Sequence, residues 1–188
     1  MNYPTGVKRN NFRIVNYANR GMSLEKNINL SNKYYLDKDL AVIYKKPTPI
    51  QIIKVDYPSK NKAVIKEALF TTPSTLDYNG LYKGKYLDFD AKECQSKTSF
   101  PLANIHSHQI LHMRNIIKHH GITFLIVHFV NLDELYLLFG EDLFEYVDKT
   151  ERKSIPIAYF RERGHKIELG YIPRIDYLKI IDKRLKGE

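Results

Sequence analysis

Ser74-Thr75-Leu76-Asp77-Tyr78-Asn79-Gly80 and, a short gap later, Tyr86-Leu87-Asp88-Phe89-Asp90-Ala91-Lys92 decide how this chain folds. In the second segment Leu87, Phe89 and Ala91 alternate with Tyr86, Asp88, Asp90 and Lys92, the period of two that marks a strand. One face is apolar and belongs to a core; the other gathers two carboxylates and an ammonium. The residues between offer two turns. A Lys83-Gly84 turn pairs Tyr82 with Lys85 and, carried outward, sets Asp77 opposite Asp90 and Thr75 opposite Lys92. An Asn79-Gly80 turn, the stronger intrinsic signal, sets Asp77 against Tyr82 instead. The Lys83 turn is preferred because it leaves two strands of useful length.

Working toward the N-terminus, Ala63 to Phe70 and Ile50 to Tyr57 read as two extended runs joined by a turn at Pro58-Ser59. Lys45-Lys46-Pro47-Thr48-Pro49 breaks the chain before them, since no central strand tolerates those prolines. Residues 47–66 are therefore expected to form an inserted two-stranded arm. Its surroundings carry Lys45, Lys46, Lys54, Lys60, Lys62 and Lys66. At ~3.3 Å per residue, strands of about six residues reach roughly 20 Å, enough to enter a DNA groove; a hairpin packed on its own domain is the alternative. Ala41-Val42-Ile43-Tyr44 reads as a short buried strand. Ser23 is a candidate N-cap for a helix whose stripe is Leu24, Ile28, Ser31 and Tyr35, with Glu25 in the first turn where a carboxylate favours the dipole. Residues 1–20 contain Lys8, Arg9, Arg13 and Arg20 and no acid, a basic flexible arm; residues 21–188 form a single domain.

Toward the C-terminus, Pro101 to His120 reads as a helix with Gly121 at C′ and a stripe of Ile105, Gln109, Met113, Ile116 and Ile117. Ile122 to Phe129 and Glu134 to Phe139 are apolar strands. From Ile172 helical spacing resumes through Ile175, Leu178, Ile181 and Leu185. Strands interleaved with helices make a mixed α/β domain.

A chain of 188 residues fits one domain. Thirty Lys+Arg against twenty-one Asp+Glu give a net charge of +9, so polyanions are natural partners. The single cysteine, Cys94, excludes an internal disulfide framework and a cysteine zinc cluster, and suits a reducing cytoplasm. No run approaches the roughly 20 apolar residues of a membrane span, and Met1 to Asn16 has no apolar secretory core. A cytoplasmic protein with no membrane association is the expectation.

Opposed like charges are destabilising, and a bound Mg²⁺ would remove the repulsion between Asp77 and Asp90. Hard Mg²⁺ takes oxygen ligands and keeps several waters, which suits it to polarising a phosphodiester and acidifying a water. Lys92 would orient that water or stabilise the charge building on phosphorus. Asp88 shares the face and is the rival ligand. Gln109 lies on an apolar stripe, where a buried amide needs a partner, either a backbone group or water on a metal. His108 and His112 have i,i+4 spacing but no third ligand, so zinc is not expected. The plain alternative to a metal site is an exposed hairpin face decorated with charges.

At these residues the chain resembles the RecU family, the Holliday junction resolvases of low-GC Gram-positive bacteria. Asn19-Arg20-Gly21-Met22-Ser23-Leu24-Glu25, Lys45-Lys46-Pro47-Thr48-Pro49-Ile50-Gln51, Pro73 to Gly80, Asp88-Phe89-Asp90-Ala91-Lys92-Glu93 and Ser99-Phe100-Pro101-Leu102 carry the likeness. It runs from about Asn16 to about Phe139 and fades beyond. The resemblance implies the PD-(D/E)xK nuclease fold: a restriction-endonuclease-like mixed β-sheet flanked by helices, with an inserted β-hairpin stalk, working as a homodimer. By motif position it implies Thr75, Asp77, Asp90 and Gln109 as magnesium-site residues, with Mn²⁺ as a substitute, and Lys92 as transition-state stabiliser. Lys45 and Lys60 match basic positions that touch DNA, and Lys62 joins them on the arm. Glu25 and Asp88 are candidates to support the ligands from behind. One departure matters: Asp90 stands where the family usually carries glutamate, one methylene longer.

The reading is thus a Mg²⁺-dependent endonuclease that nicks four-way DNA junctions symmetrically in recombination and repair, with recombinase and branch-migration proteins as further partners. Its rivals are a nuclease acting on linear duplex and a non-catalytic protein that binds branched DNA.

Overall fold

In the computed structural model, which describes residues 23–60, 62–71 and 75–187, the Ser23 hydroxyl accepts the Lys26 backbone N–H at 3.4 Å and starts helix α1 (Leu24–Asp37). The arm expected over residues 1–20 lies outside the described residues. The helix buries Leu24, Ile28, Ser31 and Tyr35, the stripe its spacing predicts. The chain continues through β1 (Val42–Lys45), β2 (Ile50–Ser59), β3 (Lys62–Phe70), β4 (Tyr78–Tyr82), β5 (Lys85–Cys94), β6 (Ser99–Pro101) and α2 (Ser107–Lys118). It ends with β7 (Ile122–Phe129), β8 (Glu134–Phe139), α3 (Gly140–Lys149), β9 (Ser154–Pro156), α4 (Ile157–Arg163), β10 (His165–Lys166) and α5 (Leu178–Lys186).

Among the described residues the main sheet has six strands in the order β1-β4-β5-β7-β8-β10. Every pair is antiparallel except β5 with β7, which run parallel with α2 between them in sequence. The fold is the mixed α/β, restriction-endonuclease-like sheet that the sequence leads one to expect. Leu87, Phe89, Phe124, Ile126, Leu137 and Phe139 face α1 and α5. Leu125, Val127, Phe129 and Leu138 face α2, α3 and α4. Across the first face runs an aromatic ladder: Tyr78 stacks on Phe89 at 4.9 Å and Phe89 on Phe124 at 4.5 Å. Each such pair is worth about 0.5–1.5 kcal/mol beyond its area.

The β4–β5 register settles the choice between turns. Tyr82 pairs with Lys85 and Tyr78 with Phe89, and Lys83 and Gly84 both have positive φ, 47° and 73°, as a two-residue hairpin turn of the primed type requires. Gly80 serves another purpose. It lies inside β4 opposite Ile43 of β1, and a Cβ there would sit 2.2 Å from the Val42 carbonyl oxygen. The Asn79-Gly80 pair is a close-approach site between strands, not a turn.

Four further expectations need correction. The helix expected from Pro101 begins only at Ser107; Pro101 ends β6, paired with β9, and one 3-10 turn (Leu102–Asn104) follows. At its C-terminus the left-handed residue is His120, with φ 63°, rather than Gly121. The Gly121 N–H still closes the helix onto the Ile116 carbonyl at 2.9 Å. The tail helix starts at Leu178, and Ile175 instead bridges to Leu169. The inserted hairpin spans Ile50 to Phe70 rather than 47–66, and Ser59 is still paired, with Lys62, instead of lying in the turn expected at Pro58-Ser59. Ten residues of β2 reach roughly 30 Å. Its residues are exposed on both faces apart from a half-buried Val55, so among the described residues it projects from the domain instead of packing on it. Between Gly140 and Tyr171, where sequence periodicity names no element, the chain builds α3, β9, α4 and β10.

Candidate active site

Asp90 lies in the middle of β5 and is fully buried, as is Asp88. The polar face of β5 is therefore not a solvent face: α2 and its apolar neighbours cover it, and buried carboxylates there require donors. Asp90 has three. Its Oδ1 accepts the Ala91 backbone N–H at 2.8 Å. Its Oδ2 accepts the Gln109 amide at 2.8 Å and lies 2.7 Å from the Lys92 ammonium. Charge-assisted bonds of this kind are roughly twice as strong as neutral ones.

Gln109 owes its position to the start of α2. As the third residue of that helix, its Oε1 accepts the His106 N–H at 3.1 Å in a capping-box arrangement. With the oxygen facing that N–H, the NH₂ is turned to Asp90. The buried amide thus finds both a backbone group and a carboxylate, and Oε1 keeps a second lone pair.

Asp77 immediately precedes β4, and carrying the β4–β5 register outward by one pair sets it opposite Asp90. Burial, followed by the negative charge of Asp90, raises its pKa from 3.8 to about 6, against the opposing pull of Lys92 and Lys45. The same carboxylates lie near the buried Tyr78 hydroxyl, which finds no hydrogen-bond partner among the described residues. Burial first, then the charges of Glu25, Asp77 and Asp90, push that phenol's pKa upward. Thr75 is two residues before Asp77, half-buried, with its hydroxyl 3.4 Å from the Leu76 carbonyl.

Asp88 turns to different partners. Both of its oxygens accept from the Lys46 ammonium at 3.0 Å, and Oδ2 also accepts the Tyr86 hydroxyl at 2.9 Å and lies 3.0 Å from His112 Nε2. Glu25, in the first turn of α1, holds Lys45 at 2.7 Å, and Glu93 accepts the Leu24 N–H at 2.8 Å, fixing the start of α1 to the end of β5. Lys60 and Lys62 sit at the exposed tip of the hairpin. Lower on the hairpin, Lys66 lies 3.5 Å from Asp56 and Lys54 stands opposite Glu67, so the hairpin's excess positive charge is concentrated at the tip.

Sequence parity brought Asp77, Asp90 and Lys92 together, and the helical stripe added Gln109. It missed Lys46, Tyr86, His112 and Glu93. Tyr86 shares the parity of Asp88, and His112 lies one helical turn beyond Gln109, signals that could have named both. Lys46 and Glu93 have no such local signal.

Among the described residues no group of three or more His, Cys, Asp and Glu side chains is gathered at metal-binding spacing. Two mutually repelling carboxylates, one buried and one half-buried, still fit a hard divalent cation that keeps most of its waters. Asp77 and Asp90 are the residues that would hold it.

An acid entering a hairpin, a second acid on the next strand, a lysine two residues on and a helix buttressing them define a domain of the restriction-endonuclease-like class. The family model described as RecU, Recombination protein U, matches residues 19–183. Proteins named Holliday junction resolvase RecU are similar to this chain over most of its length. The one from Pediococcus pentosaceus is 52% identical over 198 aligned residues, covering 100% of this chain and 98% of that protein. The one from Lactococcus lactis subsp. cremoris is 55% identical, covering 90% and 80%, and that from Bacillus thuringiensis 48%, covering 97% and 96%. The chain belongs to the RecU family. The match extends well past Phe139, so the tail is part of the family's domain, contrary to the expectation that likeness fades there.

Proposed function

We propose that the protein is a Mg²⁺-dependent endonuclease that resolves four-way DNA junctions. The observation that carries this reading is the Asp77–Asp90–Lys92 set on the β4–β5 hairpin, supported by the RecU family membership. When bound, Mg²⁺ (or Mn²⁺ in its place) supplies charge neutralisation on the phosphate and an acidified water. Asp77 and Asp90 would hold the cation. Gln109 and the Ala91 N–H keep the Asp90 carboxylate oriented. Lys92, now neutralising Asp90, offers a cation to the charge that develops on the phosphoryl oxygens. Aspartate at position 90 reaches one methylene less than glutamate, so Asp90 depends on these donors for placement.

DNA is held by charge. The chain is basic overall, and Lys60 and Lys62 present ammonium groups at the end of a long exposed hairpin suited to reaching into a branch point. Lys45 lies beside the carboxylates and adds a phosphate-facing charge once Glu25 is displaced. Such contacts give affinity and register without reading sequence. A homodimer related by a twofold axis would place two sites for symmetric nicks. Work in recombination and repair in the cytoplasm, beside a recombinase and branch-migration proteins, follows from this activity. Among the described residues no helix is long and apolar enough to cross a membrane.

The test is a labelled four-way junction and a matched linear duplex, each incubated with protein in Mg²⁺ or EDTA. Paired nicks in the junction with Mg²⁺ alone support the reading. Faster cutting of the duplex favours a duplex nuclease, and junction binding with no cutting makes the protein an architectural one.

A further inference from the structure

Asp88 is fully buried, and its charge is met from three elements at once. Lys46 reaches it from the root of the inserted hairpin, Tyr86 from β5 and His112 from α2. An ionised carboxylate only accepts, so His112 Nε2 carries the proton of that contact. With Oδ2 engaged by three groups, the carboxylate has little capacity left for a cation.

The geometry also links Asp88 to both candidate cation-holding residues. Asp88 and Asp90 are two apart on β5 and share a face. Gln109 and His112 are three apart on α2 and share a face. They form two parallel rungs between strand and helix, Asp90–Gln109 and Asp88–His112. Lys46 adds a third connection, because its backbone N–H donates to the Asp77 carbonyl at 2.7 Å while its ammonium holds Asp88. Pro47 follows directly, so Lys46 is the last residue before the chain leaves for the hairpin.

We propose that Asp88 is a positioning residue which, through Lys46 and His112, locks the hairpin root and α2 onto β5 so that Asp77 and Asp90 keep their spacing. The role rests on the junction-cleaving function proposed above. Asp88 does not hold the cation; it holds the elements that hold the cation. A lysine at the hairpin's root that bonds both the main chain of Asp77 and the side chain of Asp88 makes the seating of the hairpin a condition for cleavage.

The experiment compares wild type with Lys46→Met, Lys46→Arg and Asp88→Asn, reading single-turnover cleavage at saturating junction, junction affinity in EDTA, half-saturating Mg²⁺ and thermal melting. Lys46→Met and Asp88→Asn should slow cleavage about ten- to a hundredfold, the usual cost of removing a group that orients a metal-site residue. Junction affinity should stay near wild type, and Lys46→Arg should recover most of the rate. Wild-type cleavage in Lys46→Met overturns the role. So does an Asp88→Asn defect cured by excess Mg²⁺ and absent from Lys46→Met, which would make Asp88 a ligand. Equal rate losses in Lys46→Arg and Lys46→Met that track lowered melting temperature also overturn it, leaving only support of the fold. If Asp88→Asn does not fold, the two Lys46 variants decide, since that side chain is partly exposed. A wild type inert on junctions in Mg²⁺ and Mn²⁺ overturns the proposed function itself, and this role with it.

Discussion

Replacing Asp77 with asparagine should make the protein more stable while removing its activity. In the fold the Asp77 carboxyl titrates at about 6 instead of 3.8 because burial and the Asp90 charge both resist its ionisation. Two pKa units correspond to about 3 kcal/mol at most, and the half-exposed position lets solvent screening reduce this to about 1 kcal/mol. The sign follows from proton binding. Between pH ~4 and ~6 the folded state holds this proton more tightly than the unfolded state, so stability falls as pH rises through that window and then levels. At pH 8 wild type carries the full penalty and Asp77→Asn carries none. For a chain of this size about 1 kcal/mol is roughly 2–4 °C in Tm. Melting curves in EDTA should therefore place Asp77→Asn above wild type by that amount at pH 8, with the gap closing by pH 4. Saturating Mg²⁺ should raise the wild-type Tm by mass action and leave Asp77→Asn unmoved. An Asp77→Asn protein that melts at or below wild type at pH 8 in EDTA refutes the claim that these carboxylates repel.

Cleavage should fall as pH drops through about 6, where protonation of Asp77 competes with the cation; rate profiles at two Mg²⁺ concentrations should show the limb moving to lower pH at the higher one. Lys92→Ala should abolish nicking and leave junction binding intact in gel shifts, whereas a variant that still cuts at the wild-type rate removes Lys92 from the site. Gln109→Ala takes one donor from a fully buried carboxylate and should cost about 1–3 kcal/mol in denaturant melts, with slower cleavage. Lys60→Ala with Lys62→Ala should weaken junction binding and flatten its dependence on log[salt] by ~0.9 for each phosphate no longer neutralised, with an unchanged slope showing that the tip does not touch DNA.

The candidate site was legible in outline because its parts follow local periods. Strand parity put Asp90 and Lys92 on one face, the Lys83-Gly84 turn carried Asp77 across to them, and the stripe of α2 delivered Gln109. What local pattern could not show was which side of β5 is covered. The alternation Leu87-Asp88-Phe89-Asp90 reads as one face inside and one face out, yet a parallel neighbour and a crossover helix bury both. That burial leaves Asp88 held by Lys46, Tyr86 and His112, and Lys46 lies 42 positions away. The same limit explains Gly80: its turn signal was overridden by the approach of β1, a contact between segments separated by the whole inserted hairpin. Short elements such as β9, α4 and β10 stay silent because too few residues repeat for a period to emerge.

Because β1 and β4 pair antiparallel, with Lys45 opposite Tyr78, the chain on either side of the inserted hairpin leaves and re-enters the sheet at neighbouring points. Everything from Pro47 to Thr71 can in principle be exchanged while the sheet closes beneath it unchanged. Reach and chemistry are therefore separable inheritances in this domain: lineages can lengthen, shorten or recharge the projection without disturbing Asp77, Asp90 or Lys92, provided Lys46 is kept. A chimera carrying a shorter hairpin between Lys46 and Asp77 should melt like the parent and lose only its preference for branched over linear DNA, and collapse of the sheet in that chimera would show that the two are not separable.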